Sequence, residues 1–266
     1  MLMLSACAHM DNGFMRSAQP LVAGKARMSY AISSSYSYAP GLSFQPDSIL
    51  VLSDREKKAD LSCQFPAGID IGLGQGLQIG GQASVAAGGD YHFRKYEQMY
   101  PDLSLTSSLR GYLQKSFPLA NDLWIGLSPG ILIHNTVWSS VTTRRSNLKH
   151  QAIGGEFPVT ITKVLHSKDQ KDSHSLTFRY TKLQISSRLN VSGPEAWGQH
   201  EYAQADQSIK RYALIYTHQL EKSWSGIFMD LGFEFSTIDG HNALAVPIFG
   251  FKYYFFGAGM KNRKLE

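Results

Sequence analysis

Apolar and polar residues alternate with a period of two along most of this chain, and this pattern constrains the fold more than any other feature. From residue 61 to residue 73, Leu, Cys, Phe, Ala and Ile occupy the odd positions, and small or polar residues occupy most even ones. Similar runs cover 103–113, 227–236 and 249–255. Successive side chains of a β-strand point to opposite faces, so this period predicts strands with one apolar and one polar face. The chain is therefore predicted to be all-β.

Short and long connections alternate between these runs. Short turns are predicted at 74–76, 118–122, 168–172 and 220–224. Longer polar connections are predicted at 95–102, 142–149, 187–207 and 239–242. One strand before residue 60 and nine after it give ten antiparallel strands, so both ends of the strand array are expected on the short-turn side.

Three features favour a membrane barrel over a soluble β-sandwich. Several alternating runs last 12 or more residues, whereas strands of globular proteins usually have ~5–6. The polar face is rich in Gly, Ser, Thr and Gln, which suit a narrow lumen better than long charged chains do. In lipid every backbone N–H and C=O must be paired within the protein, and strands achieve this only in a closed barrel. We therefore predict an antiparallel up-and-down transmembrane β-barrel of about ten strands, and keep a periplasmic β-sandwich lipoprotein as an alternative.

The composition excludes several other classes. Hydrophobic residues make up 43% and aromatic residues 12% of the chain, which is too much for a disordered protein. A membrane helix needs about 20 consecutive apolar residues, and no such stretch occurs. The net charge is +5, but the basic residues are scattered rather than clustered as in nucleic-acid-binding proteins. Two cysteines, Cys7 and Cys63, make neither a disulfide framework nor a metal cluster, so no metal and no cofactor is expected.

With these strands, residues 27–256 resemble a bacterial outer-membrane β-barrel. Aromatic residues lie near the predicted strand ends, as in interfacial girdles: Tyr91, Phe93, Phe117, Trp124, Trp138, Trp224, Tyr253 and Phe255. The aromatic run Phe249–Phe256 is similar to the C-terminal assembly signal of such proteins, although 257–266 follow it here. The resemblance implies location in the bacterial outer membrane, with outer-membrane lipids and lipopolysaccharide as partners.

The N-terminal residues Leu4-Ser5-Ala6-Cys7 resemble a bacterial lipobox, which implies lipidation at Cys7. A lipoprotein signal has a basic region and ~7–15 apolar residues before its cleavage site, and only four residues precede Ser5. Either the start is truncated or the match is chance. The expected organisation is a leader-like segment and linker over 1–24, a barrel over 25–256 and a tail over 257–266.

Charged residues on the polar face are expected to point into the lumen and to pair there, because an unpaired charge in a medium of low dielectric constant is costly. The predicted set is Asp70, Arg110, Glu156, Arg179, Asp230, Glu234 and Lys252, with Asp90 as a further inward residue. Such a lumen is either filled by internal ion pairs or a narrow polar pore. The first hypothesis for function is accordingly a structural or small porin-like barrel, with a small polar solute or a surface ligand as further partners.

A second hypothesis is a hydrolase at the rim. Asp90-x-His92 places a carboxylate and an imidazole on one face of a strand, close enough for the carboxylate to orient a general base. Strand number and rim chemistry resemble those of the omptin proteases, which implies a site at the external rim, but no omptin motif is matched here. The more conservative interpretation is that the chain is not an enzyme. The connection around Trp197 and Tyr202 is the predicted place for external contacts.

Overall fold

The computed structural model describes residues 3–5, 16–44, 50–91, 101–139, 145–166, 170–192, 201–238 and 241–256. The strands are β1 (Met3–Ser5), β2 (Ala26–Phe44), β3 (Leu50–Gly74), β4 (Leu77–Tyr91), β5 (Pro101–Ala120), β6 (Leu123–Leu127), β7 (Gly130–Ser139), β8 (Arg145–His166), β9 (Lys171–Ser192), β10 (Glu201–Glu221), β11 (Ser225–Ile238) and β12 (His241–Phe256). Within these ranges no helix has the length and apolar character needed to cross a bilayer.

The strands form a closed antiparallel barrel of ten strands, which confirms the predicted all-β barrel. Strands that follow each other from β2 to β12 pair side by side, except that β6 and β7 each pair with β5 and β8 and not with each other. Strand β2 closes the barrel by pairing with both β3 and β12. The count is ten because β6 and β7 occupy one position between β5 and β8. They are separated at Pro129, which has no N–H to donate. The short strand β1 pairs with Gly41–Ser43 of β2.

One end of the barrel carries the turns at 75–76, 121–122 and 222–224 and the short step from His166 at the end of β8 to Lys171 at the start of β9. We call it the short-turn end. These turns agree with the predicted short connections to within a few residues. Gln75 and Gly76 both have positive φ, at 52° and 74°, as the two central residues of a type I′ hairpin turn require. The first barrel strand starts and the last one ends here, since Arg27 pairs with Phe256.

At the far end of the barrel the strands continue well beyond their predicted limits. The predicted connection 187–207 is too long, because β9 extends to Ser192 and β10 starts at Glu201, which pairs with Val191. Strand β8 likewise starts at Arg145, inside the predicted connection 142–149. Hydrogen bonds between strands use backbone groups and do not require apolar and polar side chains to alternate. A strand can therefore continue beyond the membrane, where both of its faces meet water and the two-residue period is lost. The alternation of apolar and polar residues therefore did not predict where these strands end.

The outer face carries a band of exposed apolar side chains whose height matches a bilayer. On β9 and β10 this band lies between the register partners His174 and His218 on one side and Lys182 and Lys210 on the other. Eight residues at ~3.3 Å each, tilted by ~40°, span about 20 Å along the barrel axis. The apolar band of an outer-membrane barrel is ~25 Å tall. Leu214, midway along it on β10, is 52% exposed, so lipid is the environment that would cover it.

Candidate functional site in the barrel lumen

The structure places all seven predicted lumen charges inside the barrel, where each is buried. It adds three arginines that sequence reasoning did not select, Arg16, Arg27 and Arg211. Among the side chains that the structure describes, the ten buried charged residues are six cations and four carboxylates, an excess of two positive charges. The interior is therefore crowded, polar and electropositive.

Two arginines converge on one carboxylate in the largest group of these charges. Glu234 on β11 accepts hydrogen bonds from Arg211 Nε at 2.6 Å and Arg211 Nη2 at 2.7 Å, one on each carboxylate oxygen. Arg179 Nη2 on β9 donates to the same carboxylate at 3.1 Å. The contact with Arg211 is bidentate, with two parallel hydrogen bonds from the planar guanidinium, which is the strongest arrangement for an arginine–carboxylate pair. Glu234 thus links three neighbouring strands from the inside.

A second pair joins the neighbouring strands β2 and β3. Arg27 on β2 donates to Asp70 Oδ2 on β3 from Nε at 3.0 Å and from Nη2 at 2.7 Å. The guanidinium carbon of Arg27 lies 5.2 Å from the centre of the Phe228 ring and 5.1 Å from that of Tyr254. The Lys252 ammonium lies 5.3 Å from the Phe228 ring centre. These rings line the wall with π-faces that attract cations.

The third pair joins the opposite wall. Arg110 Nε on β5 lies 2.9 Å from Glu156 Oε1 on β8, and both side chains have 0% exposure. Asp230 accepts a hydrogen bond from Thr217 Oγ1 at 2.6 Å on the other side of the barrel. Solvent therefore touches neither the Arg110 nor the Glu156 side chain.

Part of the N-terminal segment lies within the lumen, which differs from the linker expected over this region. Ala18 N donates to Thr162 Oγ1 at 2.7 Å, and Gln114 Nε2 donates to the Ser17 carbonyl at 3.0 Å. The Arg16 guanidinium carbon lies 3.0 Å from the centre of the Tyr112 ring. Since Arg16, Ser17 and Ala18 are each buried, this stretch is part of the barrel interior near the short-turn end.

Two wall glycines make room for this segment. A Cβ at Gly126 would come within 3.1 Å of the Cα and Cβ of Ala18, and one at Gly72 would overlap the carbonyl groups of Leu21 and Val22. Gly24 N also donates to the Gly72 carbonyl at 2.8 Å, and Gly72 N donates to the Lys25 carbonyl at 2.9 Å. The wall is thus shaped to accept residues 18–25 at close range.

An apolar cluster fills another part of the interior. Its members are Leu132, Ala152, Leu183, Ile185 and Ile209, all buried. Leu132 pairs in register with Arg110, so apolar and ionic side chains stand at the same level on adjacent strands. Apolar and ionic side chains thus share this part of the interior.

The rim candidates fall mostly beyond the described residues. Asp90 lies on β4 and pairs in register with Asp102, but its side chain is not described, and His92 lies outside the described ranges. Cys7 and Trp197 also lie outside them, and Tyr202 is described only as a backbone position of β10. The rim hydrolase, lipidation at Cys7 and external contacts at Trp197 and Tyr202 therefore stay predictions.

Comparison with known proteins gives likenesses of fold only. No protein-family model matches this chain, and no curated protein does. The outer membrane protease OmpT from Escherichia coli is 7% identical with a TM-score of 0.41, over 88% of this chain and 92% of that one. An outer membrane channel from Pseudomonas putida F1 is 10% identical with a TM-score of 0.35, over 93% of this chain and 100% of that one.

The ferric citrate transporter FecA in its unliganded form is a third neighbour, 7% identical with a TM-score of 0.39 over 86% of this chain. This chain covers only 41% of the FecA chain. All three neighbours are outer-membrane β-barrel proteins, and no specific family is shown. Likeness at this level supports no argument about activity, so the proposals below rest on the geometry of the barrel itself.

Proposed function

We propose that this protein is a bacterial outer-membrane β-barrel with a closed lumen, serving a structural, surface-presenting role rather than that of an open porin. The observation that carries the proposal is the complete burial of Arg110 and Glu156 beside the seated residues Arg16, Ser17 and Ala18. A barrel of eight strands has an interior just wide enough for side chains to fill. Ten strands leave slightly more room, and the N-terminal segment supports the proposal because it occupies that room.

The outer face supports the membrane location. Apolar side chains cover a band of about 20 Å, as estimated from strand rise and tilt, and the exposed lysines Lys182 and Lys210 stand side by side at its upper edge. Lysines at that depth fit anionic lipid headgroups, so outer-membrane lipids and lipopolysaccharide are the proposed partners. The short-turn end then faces the periplasm, and the long β8–β9–β10 strands project outside.

Planar-bilayer recording tests the closed lumen. Full-length protein, with its folded state checked by heat-modifiable migration on a detergent gel, is expected to insert without steady ion current. A variant lacking residues 1–20 is expected to conduct, because the space filled by Arg16 to Ala18 is then open to water. A steady current through the full-length protein would contradict the proposal. Silence of both proteins would keep the closed barrel and assign its closure to the wall side chains alone.

A further inference from the structure

Three side chains that can ligate a metal lie together on the outer face, just beyond the apolar band at the short-turn end. His174 on β9 and His218 on β10 are direct register partners. Asp172 precedes His174 by two residues and therefore lies on the same face of β9. Their three potential ligand atoms all lie within 4.8 Å of one another. The group is separate from the lumen charges, which point into the barrel.

The geometry of the group is close to that of a metal site. Asp172 Oδ1 lies 2.8 Å from His218 Nε2 and 3.6 Å from His174 Nε2. The two imidazole rings are stacked, with centres 4.8 Å apart and planes only 4° from parallel. Tetrahedral zinc with bonds of about 2.0–2.2 Å holds its ligands roughly 3.3 Å apart. The three potential ligand atoms, all within 4.8 Å of one another, are thus within about 1.5 Å of that spacing.

Neighbouring residues already orient the ligands. The Tyr216 hydroxyl lies 2.6 Å from His174 Nδ1, so the other nitrogen, Nε2, is the one that faces Asp172. Hydrogen bonds of this type to the second ring nitrogen are typical of metal-bound histidines. The two nearest lysines are engaged elsewhere: Lys163 Nζ donates to the Asn121 carbonyl at 3.1 Å, and Lys171 Nζ lies 3.6 Å from Glu221. The Asp172 carboxylate therefore interacts with the two histidines and not with these lysines.

A simple surface ion pair explains this group less well. One Asp and one His would suffice for such a pair, and a half-exposed pair contributes only about 0–1 kcal/mol. A shared cation accounts for both imidazoles, the carboxylate and the tyrosine together.

We propose that Asp172, His174 and His218 bind a divalent transition metal ion, specifically zinc, with water as the fourth ligand. Imidazole suits zinc, and zinc tolerates a mixed set of nitrogen and oxygen ligands because it has no geometric preference from d-electrons. Strands β9 and β10 pair along their whole length, and the chain connects them at the far end of the barrel. The ion ties them at the short-turn end, beside the edge of the membrane.

Zinc titration of the refolded full-length protein in detergent tests this site, with a chromophoric chelator as competitor. Wild type is expected to bind one equivalent that His174→Ala, His218→Ala and Asp172→Asn each weaken by more than about 10-fold, since losing even a residue that only orients a ligand costs that much. His166→Ala is the matched control: His166 lies at the same end of the barrel and pairs with Asp122 at 3.0 Å, outside the group. Cobalt substitution is expected to give the visible absorption of a tetrahedral site in wild type and the control only.

Two results would overturn the site. One is wild-type protein that takes up no zinc at micromolar concentration. The other is zinc affinity that is unchanged in the three variants, which would place the ion elsewhere in the chain. Heat-modifiable migration of each variant shows that the barrel is folded, and Asp172→Asn preserves side-chain volume, so loss of binding is not confused with loss of structure.

Discussion

The lumen charges predict a large stability cost for one isosteric change, Glu234→Gln. Glu234 is 5% exposed and accepts three hydrogen bonds from Arg179 and Arg211, which are each 1% exposed. The amide of glutamine keeps one acceptor oxygen, but its NH2 group faces a guanidinium donor and its negative charge is gone. Removing one partner of a buried ion pair costs about 3–5 kcal/mol, because the remaining charge stays buried without compensation. Here the same substitution removes a carboxylate charge from beside two buried arginines at once.

Equilibrium unfolding in urea, with the protein in detergent micelles, measures this cost. At a slope of ~2 kcal/mol per molar urea, a loss of about 4 kcal/mol lowers the midpoint by roughly 2 M. Asp122→Asn is the control, because Asp122 is 45% exposed and pairs with an exposed histidine. Its φ of 59° suits asparagine as well as aspartate, so its loss is expected to stay below about 1 kcal/mol.

The reasoning is refuted if Glu234→Gln and Asp122→Asn unfold at the same urea concentration. That result would mean that water reaches Glu234 and screens the charges, as in an open pore. Adding Arg211→Gln to Glu234→Gln gives a second check. Removal of one of the two cations around position 234 is expected to make the double variant more stable than the sum of the two single losses, since residues of one network do not contribute additively.

Two further predictions concern the outer face. Leu214→Arg, midway along the apolar band, is expected to lower folding stability in lipid vesicles by about 2–4 kcal/mol, whereas Lys210→Arg at the band's edge is expected to change it by less than about 1 kcal/mol; equal effects would place the membrane elsewhere. Lys182→Glu with Lys210→Glu is expected to weaken co-sedimentation with lipopolysaccharide micelles relative to Lys182→Arg with Lys210→Arg, and unchanged co-sedimentation would remove the lipid contact at this pair.

The sequence predicts the barrel well because the lipid-facing side of each strand must be apolar at every second position. Arg27 follows the same alternation, because its neighbours Met28 and Tyr30 face outward, so the sequence pattern also identifies Arg27 as a lumen residue. Arg211 was hidden for a physical reason: its neighbours on the inner face, Ile209, Ala213 and Ile215, are apolar. With both faces apolar there, the period of two disappears. The alternation of apolar and polar residues therefore tells lumen-facing from lipid-facing residues only where the lumen face is polar.

Other parts of the site depend on contacts between distant residues. The burial of Arg16 against Tyr112 joins positions far apart in sequence, and no period in 8–23 signals it. His174 and His218 become neighbours only once the register between β9 and β10 is set, and a shift of one residue would put one of them inside the barrel. The sequence contains both histidines, but nothing in their spacing along the chain pairs them.

The closure of the lumen has a strong part and a weak part. The wall pairs are buried, charged and held by strands that the whole ladder fixes, so breaking one costs several kcal/mol. The N-terminal segment is held by neutral hydrogen bonds from Ala18 N, Gln114 and Leu21 N, worth about 0.5–1.5 kcal/mol each, and by the stacking of Arg16 on Tyr112. Any opening of this barrel therefore begins with withdrawal of the segment and leaves the ion pairs of the wall in place.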